Sequence, residues 1–440
     1  MNEEQRREFK SGWMIIMAAV LQYVFGYPAT ILPMSSILFG PKYKEFKTSE
    51  TEKAVMVGLF TVFMNIVSIF VGPMVKARSS RFVAILATSC QVLGLVICAF
   101  SNCTALIIIG FGMFVGTGVG LSFVNNIIIV TKYFPKSTGI AFGTALSCIC
   151  LIGLVIPLIM EILIDYFEQK NDLLNQWTTL VYAGMSCVGF NGAILMIPKP
   201  GILVPDNEET VPEDVEDDHE DSEYIQACKE FLLLLKDPVY IVTAVVNSCC
   251  FAIMVYFISL LAPIATSRKL NDQSSNLVTI FIATNAFVLL PMGLLGDSTF
   301  LKNHFKFPKK SLYIFCCSGL VITIGFLNFT RSFITLIIGT VLSAIFTSGM
   351  FITTNLVYYE CFPSMFESAV GLSNLFRCIF ALSINPLAGY LTTLPGCQDL
   401  SCSLHFLSGT TFILIVIWVG LGLMAWRPNI LCVRRIHDIS

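Results

Sequence analysis

The chain has 440 residues, 55% of them hydrophobic and only 13% charged, with a formal net charge of −2 and a mean hydropathy of +0.77. So little charge excludes an ordinary water-soluble globular protein and makes lipid the solvent that the composition requires. No nucleic-acid partner is expected.

In chain order, the charged leader Met1 to Lys10 runs directly into a long apolar stretch rather than a short one with a cleavage site. The first segment is therefore expected to stay in the membrane. Spanning the hydrocarbon takes about 20 apolar residues. Twelve such stretches begin near Gly12, Ala54, Phe82, Ala105, Gly139, Thr178, Val239, Leu277, Ser311, Phe333, Ala369 and Phe406. The expected fold class is an all-α membrane protein with twelve transmembrane helices in two six-helix bundles. The expected boundaries are 1–197 for the first bundle, 198–237 for a central loop, and 238–440 for the second bundle with a short tail. Lysine and arginine concentrate on the side that holds Arg6, Arg7, Lys10, Lys76, Arg78, Arg81, Lys132, Lys309 and Arg434. Both termini are accordingly expected in the cytoplasm, with the plasma membrane as the default location.

The central loop contains a window, Asp206 to Glu223, with 11 acidic residues and no lysine or arginine. Such a run buries too little apolar surface to fold, and a largely disordered tether is expected. A docking site for a cytosolic partner is the alternative. Most of the 16 cysteines fall within apolar helices, where they act as small packing residues. Cys397 and Cys402 share an outer loop and could form a local disulfide. The four histidines lie in loops or at a helix margin, so neither metal nor cofactor is expected. No catalytic constellation appears either, and an enzyme is not expected.

The chain repeats itself. Phe134, Pro135, Ala141 and Gly143 return as Phe362, Pro363, Ala369 and Gly371, each offset by 228 residues. Tandem halves of an apolar chain mark transporters built as parallel repeats, with a substrate site between the halves near the bilayer midplane. Small residues at Gly112, Gly116 and Gly120 in the fourth span, with Gly339 and Ser343 in the tenth, offer close-packing stripes. These are either plain packing faces or surfaces on which one bundle rocks against the other.

Arg377 lies about eleven residues, roughly 16 Å, into the eleventh span. Charge at that depth must face the protein interior or a wet cavity. A guanidinium there could bind a small carboxylate bidentately; alternatively it is held by amides such as Asn374 or Asn385 and serves structure alone. Polar residues that could complete a substrate site are Tyr27, Asn65, Asn125, Asn126, Asn247, Asn285 and Asn374, with Tyr23, Gln91 and Asn355 as further candidates. Each of these could equally cross-link helices. No Asp or Glu sits at mid-membrane, so no buried proton carrier is visible.

Several segments resemble the monocarboxylate transporter family of the major facilitators. Lys132-Tyr-Phe-Pro-Lys136, continuing to Ala141-Phe-Gly143-Thr-Ala145, is similar to that family's signature at the entry to the fifth helix. Gly12-Trp13 resembles the end of its other signature. Similarity continues through Leu260 to Pro263, Pro291 to Gly293, and Ser368 to Arg377 into Asn385 to Gly389. Major facilitators also carry a Gly-x-x-x-Asp pattern in two loops, where the carboxylate clamps a neighbouring helix end. Here Gly293 to Asp297 keeps it, while Gly72 is followed by Lys76 in place of the acid. The resemblance implies a gating role for Gly72, Gly293, Asp297 and Lys136, and a single-span immunoglobulin-type chaperone as partner. The chain departs from the family at the first helix, which has no lysine between Gly12 and Gly40, and at Thr284 to Gly296, which carries no charge. Both departures argue against proton-coupled lactate transport.

The function expected from the sequence is secondary transport of a small organic monoanion by alternating access, through facilitated diffusion or exchange, with Arg377 as carboxylate anchor. Two alternatives stand beside it: transport of an aromatic or amino-acid-like zwitterion, and a membrane receptor or scaffold that moves nothing.

Overall fold

The computed structural model describes residues 3–26, 39, 46–48, 50–135, 137–168, 174–196, 216–267, 274–304, 308–329, 332–392 and 401–425. Every regular element among them is helical. The first half contains α1 (Glu3–Tyr23), α2 (Glu50–Ala77), α3 (Ser80–Ala99), α4 (Thr104–Tyr133), α5 (Thr138–Glu168) and α6, in two pieces, Leu174–Ser186 and Val188–Leu195. A linker helix α7 (Glu216–Lys236) follows. The second half contains α8 (Pro238–Ser267), α9 (Ser274–Asp297), a short α10 (Thr299–His304), α11 (Pro308–Phe329), α12 (Phe333–Cys361), α13 (Phe366–Thr392) and α14 (Ser401–Ala425).

Ten of these stretches are long and apolar enough to cross a membrane, and Gly12–Tyr23 and Cys402–Ile417 add two shorter apolar helices. All twelve start close to where the hydropathy of the sequence puts them. Phe287 and Ile322, 70% and 71% exposed, project outward from helices whose other faces are packed. Such a surface is stable only against lipid. The chain is a multi-pass membrane protein of two six-helix bundles. In the first, α1 packs on α6 and α4, and α4 on α2 and α3; in the second, α12 packs on α9 and α11, and α8 on α13 and α14. The bundles meet along two seams, α5 against α9 and α2 against α13.

One expectation changes. The tether expected to be largely disordered over 198–237 is helical over Glu216–Lys236, while residues 197–215 lie outside the described set. The acidic run ends at Glu223, and from there apolar residues recur at helical spacing. Ala227 and Leu234 are fully buried and Phe231 partly so, which seats the helix against α2 and α13. The glycine stripe of α4 is a packing face within one bundle and does not meet the other. A Cβ at Gly116 would lie 2.8 Å from Phe60 O, and one at Gly120 would collide with Met64 O, both on α2. Gly339 likewise faces Leu327 of α11 in its own bundle. Around Gly110 and Gly112, which face α3 and α2, residues Ile108–Val115 of α4 wind as a π-helix. That wider turn commonly marks a working segment.

Of the paired outer cysteines, Cys402 is disulfide-bonded; Cys397 lies outside the described residues.

Candidate functional site

Side chains on a helix tilt toward its N-terminus, so Arg377 reaches back along α13 to the residue one turn before it. Its Nη1 donates to Asn374 Oδ1 at 3.0 Å. The guanidinium carbon lies 4.6 Å from the centre of the Phe251 ring of α8, a cation–π geometry. Arg377 is buried, and Tyr240, Tyr313 and Tyr358 lie within electrostatic range of it. Among the described residues, neither Arg377 Nε nor Asn374 Nδ2 has a protein hydrogen-bond partner. Tyr358 sits beside Asn247 and Arg377. Unused polar groups of this kind are rare in a packed interior and point to a further partner.

The structure thus brings Arg377, Asn374 and Asn247 together and adds Tyr358, Tyr240 and Phe251. The remaining asparagines are elsewhere. Asn65 donates to Thr61 O of its own helix at 2.7 Å. Asn125 donates to Ser80 O at 3.1 Å, tying α4 to α3. Asn285 accepts from Ser348 at 2.5 Å, tying α9 to α12. Asn355 donates to Phe351 O at 3.3 Å. Asn126 donates to Ala19 O at 3.1 Å, while its Oδ1 has no hydrogen-bond partner among the described residues. Tyr27 lies outside the described residues, as does the side chain of Asn385.

Between Arg377 and Asn126 stands a group of rings contributed by both bundles. Phe351 of α12 lies 5.9 Å from Phe123, 6.4 Å from Phe142 and 6.5 Å from Phe251, centre to centre. Beyond them Tyr23, Phe123, Asn126 and Phe142 line a cavity of about 10 Å³, room for little more than one water. Nothing in the sequence singles out these four phenylalanines among 36.

The basic end of the bundles, where Lys76, Arg81 and Lys132 lie, is closed at both seams. On one seam Asp297 Oδ2 accepts from the backbone N–H of Ile140 at 2.8 Å, capping the start of α5. There a Cβ on Gly139 would come within 2.7 Å of Gly293 O, and one on Gly143 within 2.7 Å of Leu289 O. On the other seam Gly72 lies under Glu367, and a Cβ on Gly371 would be 3.2 Å from Ser68 O. Lys132 pairs with Glu367 at 2.6 Å across the bundles. Lys76 pairs with Glu230 of α7 at 3.2 Å, and Ser368 donates to the other oxygen of that carboxylate. A cavity of about 230 Å³ opens beside these pairs. Gly72, Gly293 and Asp297 therefore sit at the seams; Lys136 lies outside the described residues. Nothing in the sequence singles out Glu230, one acid among many in the linker.

The sequence profile of the Major Facilitator Superfamily matches residues 12–271 and 249–429. Monocarboxylate transporter 13 of Bos taurus is 23% identical over 169 residues, which is 37% of this chain. The match spans 38% of that curated relative's length. Among solved structures, the E. coli fucose:proton symporter superimposes with a TM-score of 0.65 at 14% identity, covering 92% of this chain and 99% of that one. A proton:xylose symporter bound to 6-bromo-6-deoxy-D-glucose gives 0.66 at 13% identity, with 96% and 97% covered. At such identities the likeness to solved structures is one of fold.

Proposed function

With the chain's membership of the major facilitator superfamily as the premise, we propose that it carries a small organic monoanion across the membrane by rocking residues 1–197 against 238–440. The observation that carries this reading is the buried guanidinium of Arg377, whose Nε, like the neighbouring Asn374 Nδ2, has no protein hydrogen-bond partner among the described residues. A carboxylate accepts bidentately from such a fork. The partial similarity to a monocarboxylate transporter supports the same cargo class. No Asp or Glu lies at mid-span beside Arg377, which favours facilitated diffusion or exchange over proton symport.

The ring group gives weight to a second reading, in which the cargo is an aromatic or amino-acid-like carboxylate that seats its apolar part among Phe123, Phe142, Phe251 and Phe351. The basic end is assigned to the cytoplasm with both termini, and the host membrane to the plasma membrane, with a single-span chaperone as a candidate partner. Asn65, Asn125 and Asn285 are reassigned from substrate contact to helix packing, on the bonds described above.

The test is uptake of radiolabelled carboxylates into proteoliposomes by the full chain and by Arg377→Gln. Loss of carboxylate uptake in the variant supports the anchor, and unchanged affinity rejects it. Competition by unlabelled aliphatic and aromatic carboxylates separates the two cargoes.

A further inference from the structure

The two seams are built alike but tied differently. At α5, Asp297 closes a Gly-x-x-x-Asp pattern and accepts from Ile140 N. The 228-residue offset maps Gly139 onto Glu367, Ile140 onto Ser368 and Gly143 onto Gly371. Gly72 duly lies under Glu367 as Gly293 lies against Gly139. At the place corresponding to Asp297, however, the first bundle has Lys76, which cannot accept a hydrogen bond. The start of α13 has its own Glu367, engaged by Lys132, but receives no carboxylate from the position that serves the start of α5, where negative charge is favoured by the helix dipole.

That carboxylate is present, but it comes from a third element. We propose that Glu230 of the linker helix is the gate carboxylate of the α2–α13 seam, standing in for the acid that Lys76 replaces. One oxygen is held by Lys76 Nζ at 3.2 Å, and the other accepts from Ser368 Oγ, the counterpart of Ile140. Glu230 is buried, as a group engaged on both oxygens can be. The lysine thus becomes the clamp that draws the linker into the seam. α7, tied covalently to α8, locks the basic end when Glu230 is engaged and frees it when α7 lifts away. Glu230 is a positioning residue that touches no cargo. The assignment rests on the alternating-access reading above.

Hydrogen–deuterium exchange on the full chain in nanodiscs, read over the first turns of α13 and of α5, tests it. Glu230→Gln should speed exchange at the start of α13 roughly tenfold, as befits the loss of a charge-assisted contact, and leave the start of α5 unchanged. Lys76→Asp alone should also speed it, because two carboxylates then compete for one place. Lys76→Asp combined with Glu230→Gln should restore slow exchange, since the acid returns to the position that serves α5. No change in Glu230→Gln, or no restoration in the double variant, overturns the proposal. Should Glu230→Gln not fold, Ser368→Ala removes the same link with little change in volume, and the same two outcomes decide. Exchange reads the seam without any cargo, so a failure to find transport would count against the proposed function alone.

Discussion

The Arg377 guanidinium lies over the Phe251 ring at 4.6 Å, so the charge on α13 is held from α8 by an aromatic face and not by an acid. A face of that kind orients the cation without neutralising it, and the fork remains able to meet an anion.

Phe251→Leu keeps volume and apolarity but removes the ring quadrupole. KM for a carboxylate should rise roughly fivefold with little change in maximal rate, in line with a cation–π contribution of about 1 kcal/mol. Arg377→Lys should recover only part of the affinity lost in Arg377→Gln, because an ammonium lacks the bidentate fork. Initial-rate uptake in proteoliposomes measures both.

Asp297→Asn replaces a charge-assisted bond to Ile140 N by a neutral one. About 1 kcal/mol or more should be lost from the closed α5–α9 seam. Exchange over 138–143 should quicken while that over 366–371 stays as it is.

Gly143→Val places new side-chain atoms where a Cβ alone would already be 2.7 Å from Leu289 O. Overpacking of this order costs about 1–3 kcal/mol, and the basic end should remain ajar. Labelling of Ser364→Cys by an impermeant maleimide, with exposed Cys103, Cys187 and Cys228 removed, should be faster in the glycine variant than in the same background without it.

Lys132 and Glu367 meet at 2.6 Å across the bundles. Lys132→Glu should open the seam by placing two carboxylates together, and adding Glu367→Lys should close it again. Failure of the swap to restore protection over 366–371 would show that the pair does not carry closure.

Uptake at a fixed concentration of the anion should be indifferent to an inward proton gradient, because no carboxyl lies at mid-span to carry the proton. Gradient-driven accumulation with internal acidification would require another carrier.

Much of the architecture was legible because lipid leaves the chain few choices. A span must be long, apolar and helical, so the twelve starts from Gly12 to Phe406 could be read from hydropathy alone. The 228-residue repeat likewise located the places where the bundles touch, and the depth of Arg377 identified a residue that needs company. The company itself was not legible. Asn125 and Asn247 look the same in sequence, yet one bridges α4 to α3 and the other lies beside Tyr358 near Arg377. Which face of a helix meets which neighbour decides that, and hydropathy does not encode it. The π-wound turn of α4 and the helix within the linker were hidden for similar reasons. Phe231 and Leu234 gain a helix only because α2 and α13 offer them a surface.

The rings around Phe351 bear on what the membrane loses when this protein is inserted in it. Phe123 and Phe142 from one bundle close on Phe351 and, through it, on Phe251 from the other, and the space beside them holds little more than a single water. A proton crosses a bilayer readily only along an unbroken file of water, and a small hydrated ion only through a wetted bore. Where the rings pack they interrupt both kinds of path, so at that point the water on the two sides of the membrane stays parted between passages of cargo.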